Sequence, residues 1–328
     1  MTPNRVDCSP APDCYHPPVA DRPVAVFRHA GASWFMPELP EVETMCRGIA
    51  GCIGRRIATA TVPRGRVRPI VTAPRAAVLA GRLAGRTISR VFRRGKRVVL
   101  EVTADGDRPL WLVIEPRMTG LMLVADPPSP EHVRLELSLR AAPGAATQRL
   151  LFWDRRGLGT IRLLDARGLE RACGAAKLGP DGLVVTADDL VGRLARSRRA
   201  VKVALLDQRA VAGIGNIYAA EILFRAGIDP RTSCRRIGRA AWERVAACTR
   251  AILAEAVRHE GSSIGDETYQ TALGKPGRFQ QRHRVYGREG RPCARCRTSI
   301  VRIVQAQRST FYCPRCQCRH PQRRQLPA

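Results

Sequence analysis

Two groups of residues in this 328-residue chain have types and spacing suited to chemistry. The first is Pro37 and Glu38, in "MPELPEVET" (36–44). A proline with a free nitrogen is a secondary amine, able to attack an aldehyde-type carbon and form an iminium. An α-amine titrates near ~8, so part of it is unprotonated at neutral pH, and a neighbouring carboxylate can shuttle its proton. Inside a chain the same nitrogen is an inert amide, and Pro37 and Pro40 would then only begin a helix. Translation is therefore expected to start at Met36, with that Met removed and residues 1–35 absent from the mature protein. The second group is Cys293 and Cys296 in "CARC", with Cys313 and Cys316 in "CPRC", enclosing sixteen residues. Two thiolate pairs at this spacing suit one tetrahedral Zn2+, closed and therefore structural. Cys318 reads as a bystander.

The elements that must position these groups follow from patterning. After Pro37, residues Val42, Met45, Cys46, Ile49 and Ile53 fall on one helical face. Segments 90–103, 110–114, 120–125, 133–140, 149–153 and 159–164 alternate or run apolar between Gly, Pro and Asp turns, enough strands for a sandwich or flattened barrel. From about 175 the period changes, and 187–197, 201–208, 217–227 and 240–261 read as helices. The expected class is α+β. A β-rich domain, sandwich or flattened barrel, with a leading helix covers 36–165, a helical domain 175–290, a zinc finger 291–318 and a tail 319–328. Residues 1–35, with six Pro and no apolar period, read as disordered.

The formal charge is +28, from 56 Lys and Arg against 28 Asp and Glu. Such an excess points to a polyanionic partner, nucleic acid above all, although an Arg-rich codon bias would contribute. Thirteen Arg between 278 and 328 face one acid, Glu289, which puts the finger on a phosphate backbone. No apolar run approaches the roughly 18 residues of a membrane span. Paired and scattered cysteines suit a reducing compartment better than a disulfide framework.

Five motifs occur in order: "MPELPEVET" (36–44), "RRGKRVVLE" (93–101), "GIGNIYAAEILFRAGIDP" (213–230), "VYGREGRPC" (285–293) and "AQRSTFYCPRC" (306–316). With these the chain resembles the formamidopyrimidine-DNA glycosylases, bacterial enzymes that remove oxidised purines, from Met36 to about Gln317. The resemblance implies a β-sandwich, then a helix–two-turns–helix domain with a zinc finger. It implies that Pro37 attacks C1′ of the damaged nucleotide, with Glu38 as acid–base partner and Glu41 as helper. Lys96 would contact phosphate and donate the proton in β-elimination, and Arg308 would hold a phosphate and serve δ-elimination. Met118, Arg156 and Leu158 would fill the gap left by the extruded nucleotide, Arg156 reading the orphaned cytosine. His132 would contact DNA, and Asn216 a phosphate in a turn opened by Gly213 and Gly215. Lys202 and "RSRR" (196–199) would track the strand.

Each assignment has a plainer competitor: core packing for Met118 and Leu158, an ordinary turn for Asn216, a solvated charged face for Lys202. Leu158 stands where the family usually has an aromatic residue, Glu115 and Arg117 depart from its pattern beside Met118, and the lesion-covering loop within 262–279 diverges. The implied partner is double-stranded DNA carrying oxidised bases or abasic sites, handled by a monomer away from membranes, in a bacterial cytoplasm at the nucleoid. A non-catalytic binder of damaged DNA is the alternative if residues 1–35 are retained.

Overall fold

The computed structural model describes residues 36–63, 68–142, 144–264 and 269–317. The extension 1–35, the tail with Cys318, and residues 265–268 of the loop expected to cover the lesion lie outside the described residues.

In chain order the regular elements are α1 (Leu39–Gly48), β1 (Arg56–Thr61), β2 (Val71–Ala73), α2 (Ala76–Leu83), β3 (Thr87–Arg94), β4 (Arg97–Thr103), β5 (Leu110–Glu115), β6 (Gly120–Leu123), β7 (Val133–Arg140), β8 (Gln148–Asp154), β9 (Thr160–Leu164), α3 (Ala166–Cys173), α4 (Ala187–Leu194), α5 (Val201–Leu205), α6 (Asn216–Ala226), α7 (Arg239–Arg258), β10 (Val301–Gln305) and β11 (Arg308–Tyr312). Nine strands pair in the order β2-β9-β5-β4-β3-β1-β7-β8-β6. The five-strand half joins the four-strand half between β3 and β1 along a short seam, the register pair Arg56 with Thr87 and the backbone bonds of residues 54–57 with 85–88 beside it. That narrow seam divides the sheet into the two leaves expected of a sandwich, and α1 touches both, through β3 and β4 on one side and β6 on the other.

Three expectations need correction. The run 90–103 is a hairpin, with β3 and β4 paired around Gly95 and Lys96, so Lys96 sits at a turn. Gly95, at φ 58°, supplies the left-handed turn residue. Ile53 is 46% exposed, because α1 gives way at Ile49 to a 3-10 turn that buries Cys52 in its place. The strands β1 and β2 and the helix α2 were not anticipated; β1 buries only Ile57 and so carries no period-2 signal.

The core is one large cluster with a small second one, Val99, Val113 and Cys173, beside it. One cluster runs from Leu39 and Val42 through the strands to Tyr218, Trp242 and Cys313. Arg93 of β3, nearly buried, bolts the layers together. Its Nε donates to Glu43 of α1 at 3.1 Å, and its two terminal nitrogens grip Asp181, ahead of α4, at 2.6 and 3.0 Å. A bidentate pair of this kind fixes orientation as well as distance.

Candidate active site

The chain enters α1 through buried Pro37, and Glu38 is the residue that caps the helix. The Glu38 amide donates to Glu41 Oε2 at 2.9 Å, one arm of a capping box. The Glu38 carboxylate crosses to α6, where Oε1 accepts the Ile217 N–H at 2.9 Å. An acid at a helix start is favoured by the free amides and the dipole there. In the turn "GIGN", expected to bring its amides to a phosphate, the amides that open α6 receive the Glu38 carboxylate. The glycines make the approach feasible. A Cβ on Gly215 would sit 2.3 Å from Glu38 Cδ, and one on Gly213 would sit 2.5 Å from Leu39 Cδ1.

Burial pushes the Glu38 carboxyl above its ordinary value, while Lys96 and the amides of Ile217, Tyr218 and Gly215 pull it back. Glu41, buried beside it, is pushed up to about 7, by desolvation first and by the Glu38 charge second. Three donors hold Glu41: the Tyr218 hydroxyl at 2.6 Å, the Ser262 amide at 2.8 Å and the Glu38 amide. Ser262 Oγ in turn lies 3.1 Å from His283 Nε2. Burial holds that imidazole down at about 4, so it is neutral at physiological pH. Tyr218, Ser262 and His283 carried no sequence signal, since only the folded chain brings them to Glu41.

Lys96 faces the same acids. Burial lowers its pKa, Glu38 and Glu41 raise it, and Arg308 lowers it further. Arg308 opens β11 directly after Ala306 and Gln307, both left-handed at φ 46° and 59°. Two non-glycine residues in that region make a tight hairpin turn at a conformational cost, which presents Arg308 at its tip.

Lys202 is 0% exposed, so the solvated-face reading fails. Its Nζ donates to Asn216 Oδ1 at 2.6 Å, Ser309 O at 3.0 Å and Thr310 Oγ1 at 2.7 Å. Asn216 Nδ2 adds a bond to Ser309 O at 3.1 Å. Both residues anchor the zinc hairpin behind the Glu38 carboxylate, and burial takes the Lys202 ammonium down to about 7.

The four cysteine sulfurs lie within 4.8 Å of one another, with Cys293 to Cys316 at 3.9 Å and Cys296 to Cys313 at 3.5 Å. Ligands ~2.3 Å from a tetrahedral zinc stand roughly 3.8 Å apart, so the set fits one Zn2+.

The remaining predicted residues form a separate group on the sheet. Met118 lies in the turn between β5 and β6, and Arg156 and Leu158 lie in the turn between β8 and β9. Met118 and Leu158 are half-buried and outside the core cluster. His132 closes a short 3-10 turn ahead of β7, its ring edge-on to Trp153 at 5.7 Å. The structure joins the Met118 turn to the Arg156 turn, and sets Lys96 within electrostatic reach of Glu38 and Arg308.

A two-leaf sheet domain, a helical domain and a zinc finger, with buried acids and cations gathered where the three meet, define a class: zinc-finger DNA glycosylases. Family models match in the same order. The formamidopyrimidine-DNA glycosylase N-terminal domain covers residues 36–161, the H2TH domain of the same enzymes 178–268, and the zinc finger found in FPG and IleRS 290–318. The formamidopyrimidine-DNA glycosylase of Chloroflexus aggregans is 40% identical over 288 residues, 86% of this chain and 98% of that one. That of Solibacter usitatus is 39% identical over 284 residues, 87% and 100% of the two chains. Among solved structures, the MutM (Fpg) protein of Thermus thermophilus aligns with TM-score 0.73 at 36% identity, covering 86% of this chain and 98% of that one. The Lactococcus lactis Fpg in complex with abasic-site DNA aligns with TM-score 0.73 at 31% identity, covering 86% and 99%. The chain belongs to the formamidopyrimidine-DNA glycosylase family.

Proposed function

We propose that the chain excises oxidised purines from duplex DNA through the Pro37 amine and then cleaves the strand as an abasic-site lyase. The amine attacks C1′, the glycosidic C–N bond breaks and the base leaves; the C1′–O4′ bond then opens, O4′ taking a proton, and C1′ is left as the iminium of Pro37. Glu38, whose carboxyl burial pushes above its ordinary value, exchanges protons with the sugar and the departing base. The iminium acidifies C2′–H, and loss of that proton with rupture of the 3′ C–O bond is the β-elimination, in which Lys96 is the proton donor. Arg308 binds a flanking phosphate and serves the second, δ, elimination. Met118, Arg156 and Leu158 fill the gap, and His132, Asn216 and Lys202 serve the DNA strand, the last two by holding the hairpin that carries Arg308.

The observation that carries this reading is the Glu38 carboxylate buried on the α6 amides, with the Lys96 charge acting on it against desolvation. A carboxyl group whose pKa is raised towards the working pH is suited to proton transfer. The reaction needs the Pro37 nitrogen unacylated, so on this reading the working form begins at Pro37; a family match that starts at Met36 supports it. Among the described residues no helix is long and apolar enough to cross a membrane, and the reading places the enzyme as a monomer at the bacterial nucleoid. The test is cleavage of an 8-oxoguanine duplex by protein produced from Met36, with Pro37→Gly as control. Product from the first and none from the second is expected; equal activity in both would overturn the proposal.

A further inference from the structure

Asp154 has no part in the chemistry above, yet it is 0% exposed and its carboxylate is shared between two turns. One is Pro116–Thr119, carrying Met118; the other is Arg155–Gly159, carrying Arg156 and Leu158. The Thr119 hydroxyl donates to Asp154 Oδ1. The Arg156 amide divides its hydrogen between Thr119 Oγ1 at 3.0 Å and Asp154 Oδ1 at 3.2 Å. The Gly159 amide donates to Asp154 Oδ2 at 2.8 Å.

The surroundings leave these turns little alternative. Arg134, itself nearly buried, donates from Nε to the Asp154 carbonyl at 2.9 Å and from Nη1 to Arg68 O at 2.9 Å. A Cβ on Gly120 would meet Pro116 O at 2.5 Å, and one on Gly159 would meet Phe152 at 2.8 Å. Arg117 and Gly157 are left-handed, at φ 55° and 59°. A buried carboxylate must be matched by donors to be tolerated, and three of these donors belong to the gap-filling turns.

We propose that Asp154 and Thr119 are positioning residues that lock the Met118 turn to the Arg156 turn, so that wedge and orphan-base reader enter the duplex as one rigid unit. This rests on the gap-filling reading of Met118, Arg156 and Leu158. Base-edge recognition by an arginine depends on bidentate geometry, which a small shift of its backbone destroys. Without the latch the enzyme still carries its nucleophile but distinguishes the opposing base poorly.

The experiment compares single-turnover excision of 8-oxoguanine opposite cytosine and opposite adenine for wild type, Thr119→Val, Thr119→Ser, Asp154→Asn and Arg156→Ala, each produced from Met36. A parallel readout is borohydride trapping on a single-stranded oligonucleotide with one abasic site, which offers no stack to wedge and no orphan base. Thr119→Val should lower the cytosine-to-adenine ratio about tenfold, the scale of discrimination that one bidentate base-edge pair provides. Asp154→Asn should do the same, because its amide turns a donor towards the Gly159 or Arg156 N–H. Thr119→Ser keeps the hydroxyl and should restore the ratio, and single-strand trapping should stay close to wild type in the Thr119 variants. If Thr119→Val keeps the ratio while Arg156→Ala loses it, the latch is wrong and the reading of Arg156 stands. If Arg156→Ala keeps the ratio, the reading of the reader fails and the latch with it. Parallel loss of single-strand trapping in Thr119→Val would reveal general damage and also overturn the proposal.

Discussion

Glu38 Oε1 accepts the Ile217 amide hydrogen at 2.9 Å, so the first turn of α1 is bonded to the first turn of α6 across 179 positions of sequence. The acid beside the candidate nucleophile is thereby oriented by the helical domain. Anything that moves the start of α6 moves Glu38.

Gly215→Ala tests this dependence. The residue's φ is −130°, so alanine brings no backbone strain there, only a methyl group 2.3 Å from Glu38 Cδ. Glycosylase turnover should fall by about 100-fold, the usual scale for a displaced acid–base group. The thermal midpoint should change little, and activity assays beside melting curves check both.

Glu41 sets a pH dependence of stability. Its folded pKa is raised from 4.5 to about 7, so the folded state binds this proton more tightly than the unfolded chain does. The stabilisation is complete below pH 4.5 and is lost as the pH rises through 7. Over that window the loss should approach roughly 3 kcal/mol for a fully buried group. Urea midpoints against pH should show the decline in wild type and a flatter profile in Glu41→Gln.

Much of the metal module and of α1 was legible beforehand, because both signals are local. Four cysteines at ligand spacing need only a hairpin, and Val42, Met45, Cys46 and Ile49 declare one face at helical period. Ile53 misled because periodicity does not reveal where a helix tightens into a 3-10 turn. The partners of Glu38 and Glu41 were illegible: Ile217, Tyr218 and Ser262 reach them only after long-range closure, and a tyrosine inside "NIYAAE" has no local mark of a carboxylate partner. Lys202 looked like a surface charge for the same reason, since its acceptors Ser309 and Thr310 lie more than a hundred residues away.

Lys202→Met should loosen the finger. It removes three bonds and leaves buried acceptors on Asn216, Ser309 and Thr310, at a cost of roughly 1–3 kcal/mol. Zinc transfer to a chromogenic chelator should be faster than in wild type, and amide exchange across β11 should rise with it. Unchanged release would mean that the hairpin is held elsewhere.

Removing the zinc, by chelation or by Cys296→Ser, should unfold β10 and β11 and withdraw Arg308. Affinity for lesion duplex should then drop, and the slope of log K against log salt should become shallower by about 0.9 for each phosphate that the finger no longer neutralises. Titrations at several salt concentrations with metal-loaded and stripped protein give that slope.

The central claim concerns one atom, the Pro37 nitrogen. Protein produced from Met36 should be incubated with an abasic-site duplex and borohydride, digested, and sequenced by mass spectrometry. The account predicts a reduced sugar adduct on the peptide that begins at Pro37, and its disappearance in Pro37→Gly alongside loss of strand cleavage. An adduct mapped to Lys96 or Lys202 instead, or full cleavage by protein in which Met36 remains attached to Pro37, would contradict it.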